Sequence, residues 1–222
     1  RQRQMCIRDR VEDSRFASEA VRLLCLRSGA RIRRADTVRA ALRHLQTYRP
    51  GAVLVDMGLP DGDGAEVIRA IAGNTPRVPV ILGISGDPDN RQAALDAGAD
   101  GFLAKPVESL AGFQQAILDA LPPGDRPQGL RLLSDTVVIP DRGALRDDLA
   151  HVAEVLSLAD DTAAIDYIAR FLAGVARSAH DRPLEVAATA LARDHAQGAP
   201  LATDLARISG MVQDRLAMVQ RL

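Results

Sequence analysis

Apolar positions recur along the first 120 residues with two alternating periods. From Ser14 to Gly29 they fall at helical spacing: Phe16, Ala20, Leu23 and Leu24 share one face, and Gly29 ends the run. A short strand-like stretch follows at Ala30 to Arg34. A second helix is predicted over about Thr37 to Tyr48, with Val38, Ala41, Leu42 and Leu45 inward and Pro50 closing it. Ala52-Val53-Leu54-Val55 is a continuous apolar run, which fits a strand buried on both faces. Helix Ala65 to Ala72, strand Val78 to Ile84, helix Asn90 to Ala97, strand Gly101 to Ala104 and helix Glu108 to Leu121 continue the pattern. Strands separated by helices of this length imply βαβ units, hence a parallel sheet with right-handed crossovers.

The pattern breaks at Leu121-Pro122-Pro123-Gly124-Asp125-Arg126-Pro127, where proline and glycine forbid helix and favour an extended spacer. Beyond it, Thr136 to Ile139 reads as a short extended piece, and from Asp141 onward the period is helical. Leu145, Leu149, Val152 and Leu156 form one stripe, and Ile165, Ile168, Leu172 and Val175 a second. Leu184 to Leu191 is alanine-rich, and Leu201, Leu205, Ile208, Val212, Leu216 and Val219 form the longest stripe. Amphipathic helices with short joints predict a small helical bundle. The expected organisation is therefore a domain over 11–121, a linker over 122–130 and a helical domain over 131–222.

Composition adds less. The 222 residues carry a net charge of −1, so no bulk field draws the chain to nucleic acid or an anionic membrane. No apolar run approaches the roughly 20 residues that span a bilayer. With no signal-peptide pattern and two cysteines, Cys6 and Cys25, a cytoplasmic location is expected. One detail is sharper: Lys105 is the single lysine among 28 basic residues, the rest being arginine. An ammonium is a compact point charge, whereas a guanidinium is a wide planar fork. A narrow slot that admits one charged tip accepts only the former.

In open parallel sheets, ligands sit beyond the carboxyl ends of the strands. There the pattern places Glu12 and Asp13 after the first strand, Asp56 after the third, Ser85 after the fourth and Lys105 after the fifth. Clustered carboxylates repel one another unless a hard cation sits among them, and carboxylate oxygens with water suit Mg²⁺. One carboxylate could then act as a nucleophile toward a phosphoryl group, with Lys105 and Ser85 holding its oxygens.

Glu12-Asp13-Ser14, Val53-Leu54-Val55-Asp56-Met57-Gly58-Leu59-Pro60-Asp61-Gly62-Asp63-Gly64, Ile84-Ser85-Gly86 and Ala104-Lys105-Pro106 together resemble the receiver domain of bacterial two-component response regulators. The match runs from about Val11 to Leu121. The resemblance implies a flavodoxin-like α/β fold with strand order 2-1-3-4-5. It also implies that Asp56 is the phosphoacceptor, supplied by a sensor histidine kinase or a histidine phosphotransfer protein. Asp13, Asp56 and the Gly58 carbonyl would bind Mg²⁺, with Glu12 assisting through water. Ser85 and Phe102 would be the switch residues, and Lys105-Pro106 is where the family carries a cis peptide bond.

Two features depart from that family. Arg8-Asp9-Arg10 precedes the acidic pair where an apolar central strand is expected, and unpaired charges are costly there. Met5 to Arg10 looks like a translated sequencing-library adapter, so residues 1–10 are expected to be a non-native leader and the first strand to be damaged. Gly58 stands where many receivers carry a larger or polar side chain, which bears on phosphoryl lifetime.

Residues 122–222 hold 11 arginines against 14 acids, and no helix-turn-helix pattern is visible, which argues against DNA output. The expectation is a helical output module that binds a protein partner or self-associates. The rival readings are a non-switching receiver that serves as an adaptor and a phosphotransfer-like bundle built around His180. A third rival is a metal-dependent phosphohydrolase using His151, His180-Asp181 and Asp204.

Overall fold

The computed structural model describes residues 7–47, 49–126, 136–158 and 162–219. Among them, strands β1 (Ile7–Val11), β2 (Arg33–Ala35), β3 (Ala52–Asp56), β4 (Val80–Ser85) and β5 (Gly101–Ala104) form one parallel sheet in the order β2-β1-β3-β4-β5. This is the predicted order. Helices α1 (Arg15–Arg27), α2 (Val38–Thr47), α3 (Gly64–Ala72), α4 (Asn90–Asp96) and α5 (Leu110–Ala120) alternate with the strands.

Side chains on a strand alternate between its two faces, and β3 divides its residues accordingly. Ala52 and Leu54 enter a core with Val21 and Leu24 of α1 and Phe113 and Ile117 of α5. Val53 and Val55 enter the opposite core with Ala41 of α2, Ile68 and Ile71 of α3 and Ala94 of α4. All five β3 residues are buried, as its unbroken apolar run requires.

Ile7–Val11 holds the central place in the sheet despite Arg8, Asp9 and Arg10. Asp9 pairs with Arg33 and Val53, and Val11 with Ala35 and Val55, while the register against β3 shifts between Ile7 and Asp9. A parallel ladder is built from backbone groups alone, so a polar sequence can still supply it.

After α5 the chain turns through a single 3₁₀ turn at Pro123–Asp125, and the Arg126 guanidinium donates back to the carbonyls of Asp119 and Leu121. The predicted linker lies only partly within the described residues. At Thr136 the chain is again beside α5: Leu110 N–H donates to Thr136 O and Val138 N–H to Glu108 O, both at 3.0 Å. Val138 is buried in the same core as Leu110 and Phe113. The first compact unit accordingly runs through Ile139, whereas the sequence pattern alone puts the start of the second at 131. These two backbone bonds and the burial of Val138 are the reason for the difference.

The second unit contains α6 (Arg142–Leu158), α7 (Thr162–Ser178), α8 (Arg182–Ala196) and α9 (Ala202–Val219). Each helix packs on the next and α9 closes against α6. Leu149, Val152, Ile168, Leu172, Val175, Ile208 and Val212, all drawn from the predicted stripes, form the core with Leu184 and Leu191.

Asp181 joins two of these helices. Its carboxylate caps α8 by accepting from Leu184 N–H at 3.1 Å, and it accepts from Arg215 Nε at 2.7 Å and Nη2 at 3.1 Å, which ties the start of α8 to α9. The hydrogen bonds from Arg215 hold the Asp181 carboxyl below the usual carboxylate range, against a smaller opposing effect of burial. A depressed folded-state pKa contributes stability that is present above the ordinary value near 4 and is lost as pH falls through the lowered one. Asp181→Asn keeps the cap but removes the charge. It is expected to destabilise the bundle by about 1 kcal/mol at neutral pH, an ion pair of this exposure being worth no more. The difference from wild type should shrink as pH falls from neutral through the ordinary value near 4 into acid, where Asp181 is protonated folded as well as unfolded. Urea denaturation followed by far-ultraviolet circular dichroism at neutral pH and in acid checks this.

Candidate functional site

The carboxyl ends of the strands deliver the predicted residues to one edge of the sheet. Glu12 and Asp13 follow β1, Asp56 ends β3, Ser85 ends β4, and Lys105 follows β5. Glu12 N–H donates to Ala35 O at 2.9 Å and continues the ladder one rung past β1. Carboxylate oxygens of Glu12, Asp13 and Asp56 lie within 4.8 Å of one another. Lys105 Nζ bridges two of these acids, 2.6 Å from Asp56 Oδ2 and 2.8 Å from Glu12 Oε2. Its side chain is only 8% exposed, so the ammonium is buried between the two carboxylates.

The electrostatics follow from burial. Desolvation raises the Asp56 pKa well above the ordinary carboxylate value and Glu12 pushes the same way, while Lys105 opposes both. Burial alone would lower the Lys105 pKa, but Asp56 and Glu12 outweigh it and the net shift is upward, so the ammonium stays charged. Three carboxylates and one ammonium leave an excess of negative charge on hard oxygen donors. That donor set fits a divalent cation that keeps part of its water shell.

The loop after Asp56 is shaped by two acids and a glycine. Gly58 N–H donates to Asp56 Oδ1 at 3.2 Å. Gly58–Leu59 and Gly62–Asp63 form a short antiparallel ladder, and the Asp63 carboxylate caps α3 by accepting from Ala65 N–H at 2.9 Å. Asp61 caps α2, accepting from Val38 N–H at 2.8 Å and Arg39 N–H at 3.2 Å. A Cβ on Gly64 would overlap the carbonyl oxygen of Asp56. The loop must therefore carry glycine there, because it packs on the backbone that presents Asp56. Gly64→Ala is expected to destabilise the first unit by about 3 kcal/mol, the upper end of ordinary overpacking, since backbone cannot yield as a side chain does. Thermal denaturation checks it. At Gly58, by contrast, an added Cβ meets nothing within 4 Å, so the approach beside Asp56 is open.

The Ser85 hydroxyl is engaged with the start of α4, accepting from Asp87 N–H at 3.1 Å and Asn90 Nδ2 at 3.0 Å. Phe102 is half-buried on the α4 side, where an added Gly83 Cβ would stand 3.3 Å from its ring. The Lys105-Pro106 peptide is cis. Asp61, Gly64, Asn90 and Arg34, the last hydrogen-bonded to the Glu12–Asp13 backbone, were not singled out from the sequence. Only the Asp63-Gly64 step carried a recognisable helix-start signal.

The histidines of the second unit do not form a comparable cluster. Among the described residues His151, His180 and Asp204 belong to no group of three metal-capable side chains. His151 stands edge-on to Phe171 with ring centroids 5.9 Å apart, and Asp204 pairs with Arg207. His180 lies in the turn after α7 at φ 56°, and Asp181 is committed to Arg215 and the α8 cap.

The family model for the response regulator receiver domain matches residues 10–117. KDP operon transcriptional regulatory protein KdpE of Escherichia coli (strain K12) is 35% identical over 96 residues, 43% of this chain and 43% of that protein. Response regulator MprA of Mycobacterium tuberculosis (strain ATCC 25618 / H37Rv) is 31% identical over 134 residues, 59% of this chain and 58% of its own. The chain spans about half the length of the curated relatives it matches. Among solved structures, the receiver domain of a sensor histidine kinase from Pseudomonas aeruginosa PAO1, with magnesium ion coordinated in the active site cleft, is 28% identical with a TM-score of 0.45. That alignment covers 50% of this chain and 92% of that one. Residues 10–117 thus match the response regulator receiver domain in sequence, and their sheet has the strand order that the resemblance implied.

Proposed function

We propose that the chain is a phosphorelay response regulator whose Asp56 accepts a phosphoryl group and whose C-terminal helices carry the output. The observation that carries this is the buried ammonium of Lys105 at 2.6 Å from Asp56, on an edge where three carboxylates converge. An Asp56 carboxylate oxygen attacks phosphorus as the bond to the donor's leaving group breaks, and that group departs with its electron pair. Lys105 and Ser85 stabilise charge on the transferred oxygens. Mg²⁺, held by Asp13, Asp56 and the Gly58 carbonyl with Glu12 through water, would neutralise charge on the phosphoryl group. Phosphorylation would loosen Lys105 from Asp56, and the Ser85 hydroxyl, now held by Asp87 and Asn90, would turn toward the new group. Phe102, packed beside α4, would follow.

The donor is a sensor histidine kinase or a histidine phosphotransfer protein, met in the cytoplasm. Among the described residues no helix is long and apolar enough to cross a membrane. Beyond the receiver, the net charge of residues 122–222 favours protein contact or self-association over DNA as the output. KdpE is named a transcriptional regulatory protein, and its match covers less than half of either chain. The chemistry needs no further catalytic apparatus than self-phosphorylation and loss of the phosphoryl group. Incubation with acetyl phosphate and Mg²⁺, followed by phosphate-affinity electrophoresis, should give a retarded band that is absent when EDTA replaces Mg²⁺. No band from the folded chain would favour a receiver that serves as a binding platform.

A further inference from the structure

We infer that Arg34 is a positioning residue for the acidic cluster: from β2 it clamps the backbone that presents Glu12 and Asp13. Arg34 Nε lies 3.3 Å from Glu12 O and Arg34 Nη2 lies 2.9 Å from Asp13 O, so one planar guanidinium takes two successive carbonyls. A fork of fixed geometry that holds both carbonyls restricts the rotation of the peptide between them. It thereby restricts the direction in which the two carboxylates leave the chain.

This segment needs such a restraint for two reasons. Its carboxylates face Asp56 within 4.8 Å, and the single ammonium of Lys105 only partly offsets the repulsion among three like charges. The strand behind it is also irregular, with its register shifted between Ile7 and Asp9. Beyond Val11 the Glu12 N–H to Ala35 O bond extends the ladder by one rung. Lys105 restrains Glu12 from the β5 side through its side chain, and Arg34 restrains the same turn from the β2 side through its backbone. Arg34 is exposed, so its charge is screened by water and its geometry is what matters.

The inference rests on the Mg²⁺-dependent reading of the site, and its test separates the two. Full-length wild type, Arg34→Met and Arg34→Lys are titrated with Mg²⁺ by calorimetry at neutral pH. Amide hydrogen exchange is measured on each in EDTA. Methionine keeps the length of the side chain but donates nothing, whereas lysine keeps the charge and a donor but not the planar fork. Arg34→Met should bind Mg²⁺ about tenfold more weakly, as expected when the support of a ligating group is removed. Its amides at 12–14 should exchange faster in EDTA while β3 and β4 keep their protection, and Arg34→Lys, which keeps the charge but not the fork, should recover only a small part of either. Wild-type affinity and wild-type exchange in Arg34→Met would overturn the inference, as would faster exchange spread evenly over the sheet, which marks a general stability role. If wild type itself binds no Mg²⁺, the reading of the site fails, and the exchange at 12–14 still decides whether Arg34 positions that turn.

Discussion

Asp56→Asn is expected to abolish the acetyl phosphate band completely and, measured without metal, to make the receiver more stable. Loss of function follows because an amide oxygen is too weak a nucleophile to displace the donor's leaving group. The gain in stability follows from the environment. Burial and the neighbouring Glu12 both disfavour the charged form of Asp56, and Lys105 only partly offsets them. The amide removes that charge and keeps the shape. Lys105 retains Glu12 at 2.8 Å, and Gly58 N–H retains an acceptor oxygen. A group whose folded-state pKa is raised binds its proton more tightly in the native state. Wild-type stability therefore falls as pH rises from the ordinary value near 4 through the raised one. The advantage of the variant should be absent near pH 4 and should grow as pH rises through the raised value, so that it is clear at pH 8. Urea denaturation in EDTA at the two pH values measures it. A variant less stable than wild type at pH 8 would mean that Lys105 outweighs both burial and Glu12.

Lys105→Met should do the opposite on stability while also removing function. It takes away the ammonium that bridges Asp56 and Glu12 and leaves two buried carboxylates without it. Removing one partner of a buried ion pair costs about 3–5 kcal/mol. The loss should shrink in acid, where the carboxylates protonate and no longer need a counter-charge. Phosphoryl acceptance should fall at least about 100-fold, the usual consequence of removing a charged group that stabilises the transferred oxygens. Lys105→Arg should not restore it, because a planar fork does not fit a slot that leaves the lysine side chain 8% exposed. Rates of band formation with acetyl phosphate across wild type and the two variants decide the matter.

The site was legible in the sequence to the extent that its residues sit where strands end. The apolar run Ala52 to Val55 identifies a two-sided buried strand, so Asp56 must emerge at its carboxyl edge. Lys105 follows another strand and is the one lysine among many arginines, which singles it out. Periodicity likewise placed the C-terminal stripes that form the helical core. These features are local: spacing along the chain decides which face a side chain takes and where an element stops.

What escaped the sequence depends on partners far apart in the chain. Arg34 clamps the acidic turn only because β2 lies beside β1 in register. Asp61 caps α2 only because its loop folds back across the sheet edge, and Gly64 is required only because its backbone presses on Asp56. The charges of Arg8 to Arg10 argued against a central strand, yet the ladder there is made by backbone groups. Thr136 to Val138 joined the first unit through two backbone hydrogen bonds that no side-chain pattern announces. The sequence by itself determined the order of elements, the apolar faces and the chemistry available at the sheet edge. The tertiary structure decided which carbonyls and carboxylates are held, by which donors and at what distance. Those bonds join residues from separate strands and loops, and their geometry is set by strand register and packing.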